Sequence, residues 1–141
     1  MTQLGFLPTL NKEHKANAWD LSFEHNSKII TVEVKNDLMA VITNNLAIEY
    51  FNPNSQKKSG LFATTADLWC HLIPNREIFI ASVPRLIEWV ETNPADKVFA
   101  AGGDGNADLM LYKKVRIAES GLFALDQENL ENALTTLKRF I

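Results

Sequence analysis

At 141 residues, with a formal net charge of −3, 46% hydrophobic and 22% charged residues, the chain has the composition of a soluble globular protein and reads as one domain over 1–141. A chain of this size buries roughly 68% of its unfolded surface, enough for a core of its own. The single Cys70 excludes an internal disulfide and a cysteine-rich zinc site, and His14, His25 and His71 show no ligand spacing. No apolar run approaches a membrane span, and the N-terminus lacks a basic segment followed by an apolar one, so a reducing cytoplasm is the expected location. A net negative charge argues against coating nucleic acid through bulk charge alone.

Residues 1–8 read as an extended lead-in, and 9–16 as a helix with Thr9 as N-cap and Glu13 projecting from it. The stretch 19–35 is the most informative. Trp19, Leu21 and Phe23 alternate with Asp20, Ser22 and Glu24, and Ile30, Val32 and Val34 alternate with Thr31, Glu33 and Lys35. A two-residue loop at Asn26-Ser27 sets His25 against Lys28, Phe23 against Ile30, Leu21 against Val32 and Trp19 against Val34. Every apolar side chain then lands on one face. On the other, Asp20 lies across from Glu33, with Lys35 two residues further along. A one-residue slip would bury Asp20 among the valines, so the hydrophobic pattern itself pins the register.

Beyond the hairpin, 36–44 reads as a loop or short helix, and 46–51 as a third strand carrying Glu49. The polar stretch 52–60, with Lys57, Lys58 and Ser59, reads as a loop suited to gripping a phosphate backbone or simply solvated. Residues 61–67 read as a short helix or turn. There Thr64, Thr65 and Asp67 either orient a water or phosphate or cap local backbone. Strands follow over 68–73 and 76–81, with Trp69 and Cys70 as core residues rather than stacking platform and nucleophile.

Ser82 caps a helix running to about residue 92, with Pro84 in its first turn and Leu86, Ile87 and Val90 on one face. The glycine-rich stretch 102–106 lacks the Gly-Lys-Ser/Thr of a phosphate-binding loop and reads as a turn. A strand over 109–117 carries a second basic patch of Lys113, Lys114 and Arg116, set against nucleic acid or along a solvated edge. Asp126 caps a last helix over 127–139, with Leu130, Leu134 and Leu137 as its buried stripe.

Carboxylates opposed on an antiparallel ribbon, roughly 4.5–5.5 Å apart at Cβ, repel unless a proton or a cation sits between them. Mg²⁺ prefers such oxygens, keeps several waters and is held by one or two side chains. A protonated lysine beside it balances charge, orients a water or stabilises a pentavalent phosphate. Asp20 with Glu33-Val34-Lys35 is thus a plausible site for metal-assisted phosphodiester hydrolysis.

The same residues resemble the core motif of the PD-(D/E)xK nuclease superfamily. Asn45-Leu46-Ala47-Ile48-Glu49, Ser59-Gly60-Leu61 and Thr65-Ala66-Asp67-Leu68-Trp69 are similar to segments of its small phage-type members. The likeness spans about residues 10 to 90, with Trp19 standing where a proline often precedes the aspartate. It implies an α/β fold with a restriction-endonuclease-like core, a central mixed β-sheet flanked by helices, one face helix-covered and the other bearing the acidic site. It implies a Mg²⁺-dependent endonuclease acting on nucleic acid, DNA foremost, with Mn²⁺ as substitute metal. Asp20, Glu33 and the Val34 carbonyl would be ligands, and a helical glutamate, here Glu13, would reach the same metal. Lys35 would position the water that attacks phosphorus in line and leaves a 3′ hydroxyl. Glu49, Thr65 and Asp67 would be accessory, with a homodimer as the means of cutting both strands. Apart from the resemblance, Lys57, Lys58, Ser59, Lys113 and Lys114 are the expected nucleic-acid contacts by their own charge and position. The alternative is a nucleic-acid-binding or assembly module that keeps the fold without chemistry.

Overall fold

The computed structural model describes residues 9–10, 19–25, 27–74, 77–100, 107–120 and 123–126. The architecture is α/β, with two mixed or antiparallel sheets and a few short helices. Strands β1 (Thr9–Leu10), β2 (Leu21–His25), β3 (Lys28–Asn36), β6 (Leu68–Ile73), β7 (Glu77–Ser82) and β10 (Phe123–Asp126) form a six-stranded sheet in the order β1-β2-β3-β6-β7-β10. Strands β4 (Asn45–Asn52), β5 (Lys57–Lys58), β8 (Lys97–Phe99) and β9 (Asp108–Lys113) form a second, antiparallel sheet in the order β5-β4-β9-β8. In the larger sheet only β3 and β6 run parallel.

The hairpin takes the register its apolar alternation requires. Leu21 pairs with Val32, Phe23 with Ile30 and His25 with Lys28. Phe23, Ile30 and Val32 are buried with Leu68, Ile78 and Ile80 on one face of the six-stranded sheet. On the opposite face Trp69, Ile73, Phe79 and Ala81 meet Leu46 and Ile48 of β4, Tyr112 of β9, and Val83, Leu86 and Val90 of α2 (Val83–Thr92). This is the main core, closed by the second sheet as much as by helices. Ser82 caps α2 by accepting the Arg85 amide at 3.3 Å.

Four expectations need correction. The third strand does not extend the hairpin's sheet: β4 pairs with β5 and β9 and packs across the main core, burying Leu46 and Ile48. The polar loop after it tightens into a hairpin, where the Asn52 side chain accepts the Asn54 and Ser55 amides and Lys57 and Lys58 form β5. Thr9 is no helix cap, because Thr9 and Leu10 pair with Ser22 and Leu21 on the outer edge of β2. The strand over 109–117 stops at Lys113 and turns into α3 (Lys114–Glu119). A strand would have put Val115 and Ile117 on one face, whereas the helix buries Ile117 and leaves Val115 56% exposed. Asp126 ends β10 opposite Glu77. Glu13, the glycine-rich stretch 102–106 and the helix expected over 127–139 lie outside the described residues.

Between the sheets, Ser59-Gly60-Leu61 opens a single 3-10 turn (Gly60–Phe62). Gly60 has φ +56°, and a Cβ there would meet the Glu49 carbonyl oxygen at 2.2 Å. Only glycine suits both the left-handed backbone and that approach. Gly60→Ala is therefore expected to lower stability by about 1–3 kcal/mol, read as a lower urea midpoint at unchanged m-value.

Candidate active site

Strand β3 carries the site because it is paired on both sides. Its odd-numbered residues turn their backbone toward β6, as the Thr31 carbonyl accepting the Asp67 amide at 3.0 Å shows. Its even-numbered residues turn toward β2, where the Val32 carbonyl accepts the Asp20 amide at 2.9 Å. Val34 therefore presents its amide and carbonyl to the Asp20 side, just past the first residue of β2. The Asp20 carboxylate accepts the Val34 amide at 2.7 Å, which fixes the side chain at the mouth of the hairpin.

Glu33 and Lys35 project from the opposite face of β3 to Val32 and Val34. Their β6 register partners are Trp69 and His71, both main-core residues. The acidic site is thus on the rim of the main core, not on a face of its own; strand alternation puts β3 and β6 partners on the same side. Glu33 accepts the Thr64 hydroxyl at Oε1 (3.1 Å), and its Oε2 lies 3.4 Å from Lys35 Nζ. The Thr64 hydroxyl itself accepts the Ala66 amide, so its one hydrogen is committed to Glu33. Lys35 Nζ also sits over the Trp69 indole, 5.6 Å from the ring centroid. Burial pushes the Glu33 carboxyl above its ordinary range; the Lys35 charge and the Thr64 bond offset this in part, while the Asp20 charge adds to it.

The hairpin pairing ends at Leu21 and Val32, so Asp20 is not paired across from Glu33 as the hairpin reading expected. Its carboxylate closes on the Val34 amide instead, near enough for its charge to act on Glu33, which pairs with Lys35. The accessory residues scatter more. Asp67 accepts the amide and hydroxyl of Thr31 and pins the start of β6 to β3. Thr65 is exposed, and its neighbour Thr64 makes the contact with Glu33. Glu49 meets the site through its backbone, under Gly60; its carboxylate makes no hydrogen bond or ion pair with Lys35. Lys57 and Lys58 are exposed on β5, while the Ser59 hydroxyl is buried without a hydrogen-bond partner. Lys113 is exposed, but Lys114 is paired with Glu77, and Arg116 with Asp96 and the Trp89 and Tyr112 rings. The second basic patch is in this way largely spent on internal pairs.

Two carboxylates and a strand carbonyl are hard oxygen donors of the kind Mg²⁺ takes, and one or two carboxylates suffice for an ion that keeps several of its waters. The Glu33 carboxyl is raised chiefly by burial, with the Asp20 charge adding to it and Lys35 opposing it, so a further cation there would favour its ionised form. Among the described residues no group of three or more His, Cys, Asp or Glu gathers to hold a metal, so those residues offer a shared site rather than a closed cage. Cys70 is half-buried by surface area, but its apolar surroundings push the thiol up to about 12, which rules it out as a nucleophile.

Two outcomes follow. Cys70 is expected to resist iodoacetamide in the folded protein at pH 8 and to react fully in denaturant, as read by mass spectrometry. A carboxyl that binds its proton more tightly folded than unfolded supports the fold while protonated, and that support is lost as pH rises through the raised folded value. Metal-free Glu33→Gln, which cannot ionise, is therefore expected to gain in Tm over wild type as pH is raised from about 4 to 7. Equal pH slopes for the two proteins would contradict the shift.

Among the described residues no helix is long and apolar enough to cross a membrane. Compared with known proteins, the chain matches no family model, no curated protein and no solved structure.

Proposed function

We propose that the chain is a Mg²⁺-dependent endonuclease of the PD-(D/E)xK type with a restriction-endonuclease-like core, hydrolysing phosphodiester bonds of nucleic acid, DNA foremost. The observation that carries this reading is the Glu33–Lys35 ion pair on β3 with the Asp20 carboxylate held on the Val34 amide between them in sequence. Asp20 and Glu33 would hold the cation, with the Val34 carbonyl turned toward the same side. When bound, the cation supplies Lewis-acid polarisation of the phosphate and a more acidic water.

The chain's own groups supply the rest. The Val34 amide keeps the Asp20 carboxylate oriented, and the Thr64 hydroxyl keeps Glu33 from swinging toward solvent. The Lys35 ammonium, within reach of Glu33, orients the attacking water and meets the negative charge that builds on the phosphoryl oxygens. Lys57 and Lys58, exposed on their hairpin, would add backbone contacts without sequence information.

The test is cleavage of plasmid, single-stranded and branched DNA, and of RNA, with Mg²⁺ or Mn²⁺. Wild type is expected to cut at least one substrate. Lys35→Ala is expected to lower kcat by about 10²–10³-fold, and Asp20→Asn to abolish the metal-dependent rise in Tm. Equal cutting by Lys35→Ala would overturn the roles assigned. No cutting and no metal response in the melt would favour a binding or assembly module without chemistry.

A further inference from the structure

The buried polar groups of the main core form a chain that leads to Lys35. His71 is only 2% exposed. The Trp69 indole N–H donates to His71 Nδ1 at 3.2 Å. An indole nitrogen can only donate, so Nδ1 carries the lone pair and the ring proton sits on Nε2. Nε2–H then donates to Asp37 Oδ2 at 2.7 Å. The Asp37 carboxylate is anchored in turn by the Ala40 amide at 3.1 Å and the Ala47 amide at 2.9 Å. Each link permits one hydrogen-bond direction, and a second proton on His71 would set two N–H donors against each other.

The far end of this chain is a platform. The indole and imidazole rings lie 6.5 Å apart and 23° from parallel, and the Lys35 ammonium rests over the indole face while pairing with Glu33. A lysine stem has four rotatable bonds and little intrinsic reason to hold one position. Here a π-face on one side and a carboxylate on the other limit it.

We propose that Asp37, His71 and Trp69 are positioning residues for Lys35: their hydrogen-bonded chain locks the indole in the plane that holds the ammonium against Glu33. None of the three needs to touch the reacting atoms. The kinetic consequence rests on the hydrolytic reading above; the geometric one does not. A chain that merely satisfied buried polar groups would leave the lysine indifferent to its removal.

The test uses NMR of the full chain and steady-state cleavage together. In wild type the Lys35 Cε protons are expected upfield of those of exposed Lys57 and Lys58, through the indole ring current. His71→Leu, which removes both hydrogen-bonding atoms, is expected to move them to the exposed-lysine position. His71→Gln, whose amide offers an acceptor and a donor, is expected to restore them. In cleavage, His71→Leu is expected to lower kcat about 10-fold with KM within about twofold, and His71→Gln to recover most of it. Asp37→Asn, read by the same resonances, serves where His71→Leu fails to fold. The proposal is overturned if wild-type Lys35 shows no upfield shift, if it is unmoved in a folded variant, or if glutamine fails to rescue it, which would mean ring bulk rather than hydrogen bonding. Should wild type cut nothing, the hydrolytic reading fails and the resonances alone decide the positioning role.

Discussion

Strand β3 is the constraint on which the rest depends, because it is held antiparallel by β2 on one side and parallel by β6 on the other. The antiparallel side delivers Asp20, whose carboxylate closes on the Val34 amide where β2 begins. The parallel side delivers Trp69 and His71 as neighbours of Glu33 and Lys35. Neither pairing alone would assemble the site. The hairpin would bring the carboxylates together but leave the lysine free, and the parallel pair would seat the lysine but lack the second acid.

Electrostatically the site is a short run of alternating demands. Glu33 is pressed between burial and the Asp20 charge, which favour its neutral form, and Lys35 and Thr64, which favour the anion. Burial and repulsion win. The outcome is a carboxyl that gives up its proton reluctantly in the absence of further positive charge, and more readily when such charge arrives. Deeper in the core the opposite balance holds. Asp37 is also buried, yet the His71 bond and two backbone amides keep its carboxyl below the ordinary range. Two carboxyls on one strand and the turn that leaves it thus take opposite protonation tendencies: at Asp37 the His71 bond and two backbone amides outweigh burial, whereas at Glu33 burial and the Asp20 charge outweigh Lys35 and Thr64.

What could be read from the residues tracks how local the determinant is. The hairpin register was legible because apolar alternation and a two-residue loop are short-range and mutually consistent. The Ser82 cap with Pro84 behind it was legible for the same reason. The partner of β4 was not, since Leu46 and Ile48 alternate as they would in either sheet and nothing nearby names β9. At the switch from strand to helix after Lys113, the Asn44 carbonyl takes the Lys114 amide across a long sequence separation, a contact no nearby residue announces. His71 looked like an isolated histidine. Only the parallel β3–β6 register puts it beside Lys35, and only Trp69 and Asp37 fix its tautomer.

The second sheet, which no local signal announced, bears on the site through backbone rather than through charge. Glu49 was singled out for its carboxylate, but its contribution is a carbonyl that requires glycine at position 60. Gly60 opens the 3-10 turn, and its own carbonyl accepts the Thr64 amide at 3.0 Å. Thr64 then reaches Glu33 across the gap between the sheets. Asn45 through Glu49, Ser59-Gly60-Leu61 and the threonine-rich stretch are thereby brought into one another's company. These segments form one buttress running from β4 to the acidic pair, and a glycine, a threonine and a strand carbonyl are the atoms that carry it.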